Sequence, residues 1–189
     1  MNNFWLHPAL IMLVGALIAP LVPERLRKGW LLLVPIAAFA RVFSMSHGTF
    51  GEVRFLDWTL TFGRVDRLSQ VFGYIMSLMA IIGTLYGLHV KRTAEHVAAW
   101  TYVAGSLGAI YAGDFLTLFL FWELMAVAST FLIWFRGRER SLGAGYRYLL
   151  VHMAGGVALL AGIMLHYKAT GSLAFVSLDV ANQIGRAHV

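Results

Sequence analysis

The sequence contains no cysteine and few charged residues, and both absences limit what the protein can be. Without cysteine among its 189 residues, the chain cannot form disulfides or hold zinc or an iron–sulfur cluster through thiolates. Charged residues make up 13% of the chain and hydrophobic residues 59%, whereas roughly a quarter of a soluble domain is charged. A soluble core of this size cannot bury so many apolar side chains, so the sequence predicts an integral membrane protein.

The catalytic motifs of soluble enzymes are also missing. The sequence has no glycine-rich phosphate loop, no nucleophile elbow and no HExxH zinc motif. We therefore expect no cofactor, no metal and no reaction chemistry of the chain's own. The 15 basic residues exceed the 9 acidic ones. In so apolar a chain this excess is typical of cytoplasmic loops rather than of nucleic-acid binding.

Six apolar stretches are long enough, or nearly so, to cross a bilayer as helices, since a crossing takes about 20 mostly apolar residues. They are residues 4–22, 29–43, 71–90, 97–113, 115–135 and 148–167. None alternates with a period of two, so the sequence predicts an all-α helical bundle. No Lys or Arg precedes the first stretch, which favours a retained helix over a signal peptide.

The basic residues are concentrated in every second connecting loop, and this distribution predicts the orientation of the chain in the membrane. They are concentrated in the first, third and fifth loops: Arg25, Arg27 and Lys28, then Lys91 and Arg92, then Arg136, Arg138 and Arg140. The fourth loop has only Asp114 as a charge. Because Lys and Arg favour the cytoplasmic side, we expect the odd-numbered loops in the cytoplasm and the N-terminus outside.

The long second loop, residues 44–70, contains a segment with β-strand character. Residues 52–62 alternate loosely, are rich in β-branched and aromatic residues, and end at Gly63. This pattern predicts a short extracytoplasmic β-hairpin, with an irregular interfacial loop as the alternative. Asp66 and Ser69 follow the hairpin, where they are expected to cap the third helix.

A glutamate within the fifth stretch is the most informative residue of the sequence. Glu123 lies about halfway along residues 115–135, where a charged side chain costs at least about 2.5 kcal/mol on insertion scales. Its neighbours three and four positions away are apolar, so any charge partner must come from another helix. Because one neighbouring charge decides the protonation of a buried carboxyl, Glu123 suits a proton relay. The alternative is a protonated glutamate hydrogen-bonded to a backbone carbonyl.

Two further polar residues accompany the sixth stretch. His152 lies near its start, and histidine is a residue type that can pass protons near neutral pH or polarise Glu123. A neutral histidine hydrogen-bonded between helices is the alternative. Arg147 immediately precedes the stretch, where it either anchors the helix at the cytoplasmic interface or leans inward as the charge partner of a carboxylate.

Three segments carry a family resemblance. They are F-G-R-V-D-R-L-S at residues 62–69, D-F-L-T-L-F-L-F-W-E-L at residues 114–124, and R-Y-L-L at residues 147–150. They resemble the antiporter-like proton-translocating subunits shared by respiratory complex I, membrane-bound hydrogenases and multisubunit cation/proton antiporters. Arg147 stands where the family commonly has lysine. The opening, residues 6–28, is most similar to the D-type subunits of the multisubunit Na+/H+ antiporters.

The resemblance implies a fold of about fourteen helices built from inverted repeats, of which residues 1–183 form the N-terminal part. It also implies that Glu123 pairs with a lysine on a broken seventh helix, which this chain does not include. The implied function is a proton-conducting subunit of a multisubunit Na+/H+ antiporter. A proton-pumping subunit of NADH:quinone oxidoreductase or of a membrane-bound hydrogenase is the alternative.

The resemblance further implies the setting of the protein. We expect other membrane subunits, the lipid bilayer, protons and Na+ as partners, no nucleic acid, and a multi-pass position in the bacterial inner membrane. The last six residues, I-G-R-A-H-V at 184–189, can be encoded by a widely used sequencing adapter. We therefore expect the native sequence to end at or before Gln183.

Overall fold

The computed structural model describes residues 5–56 and 58–175, and six α-helices and one β-hairpin lie within them. In chain order these are α1 (Pro8–Ile18), α2 (Glu24–Phe43), β1 (Gly48–Phe55), β2 (Trp58–Val65), α3 (Arg67–Gly87), α4 (Thr93–Tyr111), α5 (Phe115–Phe135) and α6 (Glu139–Thr170). The expected adapter-derived tail, residues 184–189, lies outside the described residues.

Each predicted apolar stretch corresponds to one helix, and α5 has the predicted bounds. Helix α6 extends beyond the sixth apolar stretch, residues 148–167, because it begins at Glu139. There the Ser141 hydroxyl accepts a hydrogen bond from the Arg138 backbone N–H at 3.0 Å. This contact caps a polar first segment that hydropathy does not reveal.

Three of the helices, α3, α5 and α6, are long and apolar enough to cross a membrane by length and composition. The segment Pro8–Leu21 is a shorter apolar helix. The number of crossings, the side on which the hairpin lies and the orientation of the chain stay predictions.

Helix α4 lies at the centre of the described bundle and packs against α1, α3 and α5. Its side chains Trp100, Leu107 and Tyr111 are fully buried. Gly108 permits the close approach of α5, since a Cβ at that position would overlap the Phe121 ring. Helix α6 packs mainly against α5, and only 11% of the residues in its most apolar stretch are buried inside the bundle.

The predicted hairpin is confirmed as an antiparallel pair of strands, in a register that joins Gly48 to Val65 and Phe55 to Trp58. The predicted cap that follows it is also present. The Asp66 carboxylate accepts a hydrogen bond from the Ser69 backbone N–H at 2.8 Å, and the Ser69 hydroxyl accepts one from the Asp66 N–H at 2.8 Å. This reciprocal pair fixes the point at which the hairpin becomes α3.

We expect Asp66→Ala to lower the free energy of unfolding by about 1 kcal/mol at pH 7, as for other helix caps. Asp66→Asn retains an acceptor oxygen and should lose less. The Ser69 backbone N–H holds the pKa of the Asp66 carboxyl below its usual range. The carboxylate therefore contributes stability above the ordinary aspartate pKa and loses it as pH falls through the folded-state pKa. Thermal unfolding should therefore show a smaller difference between wild type and Asp66→Ala at pH 3 than at pH 7.

Candidate functional site

The Glu123 side chain lies between α5 and α6, against the backbone of Gly156. Gly156 is buried, and a Cβ at this position would overlap the carboxylate oxygen Oε1 of Glu123. Helix α6 therefore accommodates the carboxyl group only because it has no side chain there.

The Oε1 atom of Glu123 is buried and has no hydrogen-bond partner among the described residues. No cation from the described part of the chain lies within 4 Å of the carboxylate. A buried polar atom normally has a partner, and one without a protein partner is explained by strain, by a bound water or ion, or by a functional role. The chain thus offers a half-buried glutamate whose buried Oε1 atom no described residue engages.

His152 lies at the same helix interface, one turn of α6 before Gly156. Its imidazole ring lies between the Trp122 ring of α5 and the Tyr148 ring of α6, with ring centres 5.7 Å apart in each case. Its Nε2 atom is buried and has no hydrogen-bond partner among the described residues. The structure therefore brings His152 and Glu123 to one interface without a hydrogen bond between them.

Arg147 also lies on α6, before His152 in the chain. It is exposed and lines an open cleft of about 680 Å³ together with Trp122, Tyr148 and His152. It forms no ion pair with Glu123. Because α6 begins at Glu139, Arg147 is an internal residue of the helix and does not precede it.

Two contacts in this region were not foreseen from the sequence. The Tyr148 and Ser129 hydroxyl oxygens are 2.8 Å apart and join α6 to α5. The close packing at Gly156 had no sequence signal of its own, because a glycine in an apolar helix is also common at sites without function.

Asp114 positions the start of α5 and is 2% exposed. Its carboxylate accepts hydrogen bonds from the Thr117 N–H at 2.7 Å, the Thr117 hydroxyl at 2.8 Å and the Thr61 N–H of β2 at 2.6 Å. The backbone N–H of Phe115 donates to the Leu173 carbonyl at 3.0 Å. The hairpin, α5 and the segment after α6 therefore meet at Asp114. Asp114 and Thr117 form an Asp-x-x-Thr spacing, which is the sequence signal for a cap at the start of α5.

Within residues 5–56 and 58–175, no group of three or more His, Asp and Glu side chains is arranged to hold a metal ion. The α5–α6 interface brings together one carboxyl group, of Glu123, and one imidazole group, of His152.

Comparisons with known proteins agree with this description. Residues 112–188 match the family described as NADH:quinone oxidoreductase/Mrp antiporter, transmembrane. Over 179 residues, the chain is 29% identical to the Na(+)/H(+) antiporter subunit A1 of Staphylococcus aureus strains JH9 and Newman. The match covers 85% of this chain, and the chain spans 22% of the length of these relatives.

Solved structures share the fold. The archaeal membrane-bound sulfane sulfur reductase matches with a TM-score of 0.72 at 19% identity, covering 88% of this chain and 37% of that one. Respiratory complex I from Thermus thermophilus with bound NADH matches with a TM-score of 0.73 at 20% identity, covering 89% and 37%. At these identities the likeness establishes the fold alone.

Together these matches confirm the resemblance to antiporter-like membrane subunits, and with the apolar helices they support a multi-pass membrane protein. The two staphylococcal relatives are A-type subunits, whereas the opening of the sequence favours a D-type subunit.

Proposed function

We propose that this chain, similar over its length to antiporter-like membrane subunits, is the N-terminal part of a proton-conducting subunit of a multisubunit Na+/H+ antiporter. Glu123 is the residue that relays the proton. The observation that supports this role is the buried Oε1 atom of Glu123, which lies against Gly156 without a hydrogen-bond partner among the described residues.

The relay follows from the physical chemistry of a carboxyl group in a low-dielectric site. A cation that approaches such a group favours the ionised form, and its departure favours proton uptake. A cationic side chain that moves near Glu123 would therefore drive release and capture of one proton per cycle. Such a cation would come from outside the described residues, as the resemblance implies for a lysine of a seventh helix.

His152 and Arg147 have secondary roles in this proposal. His152 passes protons between the cleft and the α5–α6 interface, because its imidazole ring lines that cleft. Arg147, at one end of the same cleft, keeps its positive charge and favours the ionised form of a carboxylate that approaches it. Neither residue replaces Glu123, because both line the open cleft, whereas the Oε1 atom of Glu123 is buried against Gly156.

The second candidate function is a proton-pumping subunit of NADH:quinone oxidoreductase or of a membrane-bound hydrogenase. The family match of residues 112–188 favours it, because the description of that family names NADH:quinone oxidoreductase beside the Mrp antiporter. In that case electron transfer takes place in other subunits, and this chain moves protons only. Glu123 has the same role in both candidates.

Everted membrane vesicles that contain the complete complex distinguish the two candidates. An antiporter dissipates an imposed pH gradient when Na+ is added, without any electron donor, and a pH-sensitive dye reports this directly. A redox-driven pump builds a gradient only after NADH or another electron donor is supplied. A response to the donor alone would overturn the antiporter assignment.

The contact between Glu123 and Gly156 gives a separate prediction. Gly156→Ala should reduce proton transport about tenfold, because the added methyl group displaces the Glu123 carboxylate. The matched control is Gly155→Ala. A Cβ at that neighbouring position meets no atom within 4 Å, so transport should change less than about twofold. Equal transport rates in both variants would contradict the importance of this contact.

A further inference from the structure

Two basic loops meet at one end of the described bundle. The guanidinium of Arg92, between α3 and α4, donates a hydrogen bond to the Phe135 carbonyl at the end of α5, at 3.0 Å. The same guanidinium lies 5.9 Å from the centre of the Phe135 ring. The positive charges of the third loop are thereby held beside those of the fifth.

A cleft of about 490 Å³ opens at this end, between the last turn of α5 and the first turns of α6. Leu132 and Ile133 of α5 provide its apolar wall. Arg136, Arg138 and Arg140 provide its basic wall.

The charges of the cleft are unbalanced. All three arginines are exposed, and among the described residues none of them forms an ion pair. Glu139, also exposed, is the acidic residue that stands between Arg138 and Arg140. The first backbone N–H groups of α6, which begins at Glu139, add partial positive charge at the same place.

We propose that this cleft binds an anionic phospholipid, with the phosphate on the arginines and the start of an acyl chain on the apolar wall. Guanidinium groups bind phosphate oxygens in pairs, which suits an arginine-lined site. The apolar wall continues along α5, one of the helices long and apolar enough to cross a membrane. A free phosphate ion would contact the arginines and leave the apolar wall uncovered. A phospholipid carries both a phosphate and acyl chains, so it fits both walls.

The position of the cleft agrees with the level of the lipid headgroups. Trp134 stands in the chain between Ile133 and Arg136, which line the cleft, and its indole N–H donates to the Leu142 carbonyl of α6 at 3.4 Å. Tryptophan is enriched at this level of a membrane, where its ring is apolar and its N–H is polar. The inference rests on the α5–α6 loop and is independent of Glu123.

The test measures the binding of phosphatidylglycerol to the complete protein in nanodiscs of phosphatidylcholine, by native mass spectrometry across a range of phosphatidylglycerol fractions. The double variant Arg136→Gln/Arg140→Gln should bind about 25-fold more weakly, from about fivefold for each basic residue removed. The matched control, Arg25→Gln/Lys28→Gln, removes two exposed positive charges from the loop between α1 and α2 and should bind as the wild type does.

A second variant separates the lipid from its phosphate. Ala144, which also lines the cleft, can be replaced by phenylalanine to fill the space beside the apolar wall without a change of charge. Ala144→Phe should weaken phosphatidylglycerol binding as well. Equal weakening in the control double variant, or full displacement of the lipid by millimolar inorganic phosphate, would overturn the proposal.

Discussion

Glu123→Gln should reduce proton transport by the complete protein about 100-fold or more, while the variant assembles and inserts as the wild type does. Glutamine has the shape of glutamate and fits the space beside Gly156. However, it cannot take up or release a proton in the physiological range. The loss of one positioned acid–base group typically reduces a proton-transfer rate by about 100-fold to 10,000-fold.

Two control variants show whether a loss of transport is due to the carboxyl group itself. Glu123→Asp keeps the carboxyl group but withdraws it from Gly156, so transport should be partly retained. Glu95→Gln makes the same chemical change at a partly exposed glutamate that pairs with Arg92 at 3.8 Å, and should leave transport unchanged. The assay is dye-monitored proton movement in everted vesicles, normalised to the amount of assembled complex.

The outcome of Glu123→Gln also separates a relay from a scaffold. If α5 and α6 serve only to hold other helices, any residue of similar size at position 123 should be tolerated. Transport at the wild-type rate in the glutamine variant would therefore refute the relay. Loss of assembly in that variant, with normal assembly of Glu123→Asp, would assign the carboxyl group a structural role instead.

The sequence was sufficient for the helices, because runs of apolar residues long enough to cross a bilayer leave few alternatives. It was also sufficient for the hairpin and for the Asp66 cap, since both depend on neighbouring residues. It did not indicate the start of α6. There the first three residues, Glu139, Arg140 and Ser141, are polar, and Ser141 contacts Arg138 at the helix cap.

The sequence predicted the central residue of the candidate site but not the contacts that this residue makes. Glu123 was recognisable because a carboxyl group within an apolar helix is rare and costly. Its contact with Gly156 depends on the rotation of α6 about its axis, which a single sequence does not report. For the same reason, the position of His152 between Trp122 and Tyr148 follows only from the packing of the two helices.

Asp114 has a different importance, because its carboxylate joins three segments that are distant in sequence. Its hydrogen bonds to Thr61 and Thr117 fix the hairpin to the start of α5, and the adjacent backbone pairs with the segment after α6. A substitution there should therefore affect the amount of folded protein more than the rate of transport per molecule. This separates Asp114 from Glu123, for which the opposite is expected.

Asp114→Ala should lower the free energy of unfolding by about 3–5 kcal/mol, because it leaves three hydrogen-bond donors at a buried position without their charged acceptor. Thr117→Val is the matched control. It removes only the donor hydroxyl at 2.8 Å and should cost about 1 kcal/mol. Unfolding of the detergent-solubilised protein by SDS gives both values. Hydrogen exchange should also become faster in β2 and in the first turn of α5, and unchanged exchange at the Thr61 and Thr117 amides would contradict the role of Asp114 as the joint between hairpin and helix.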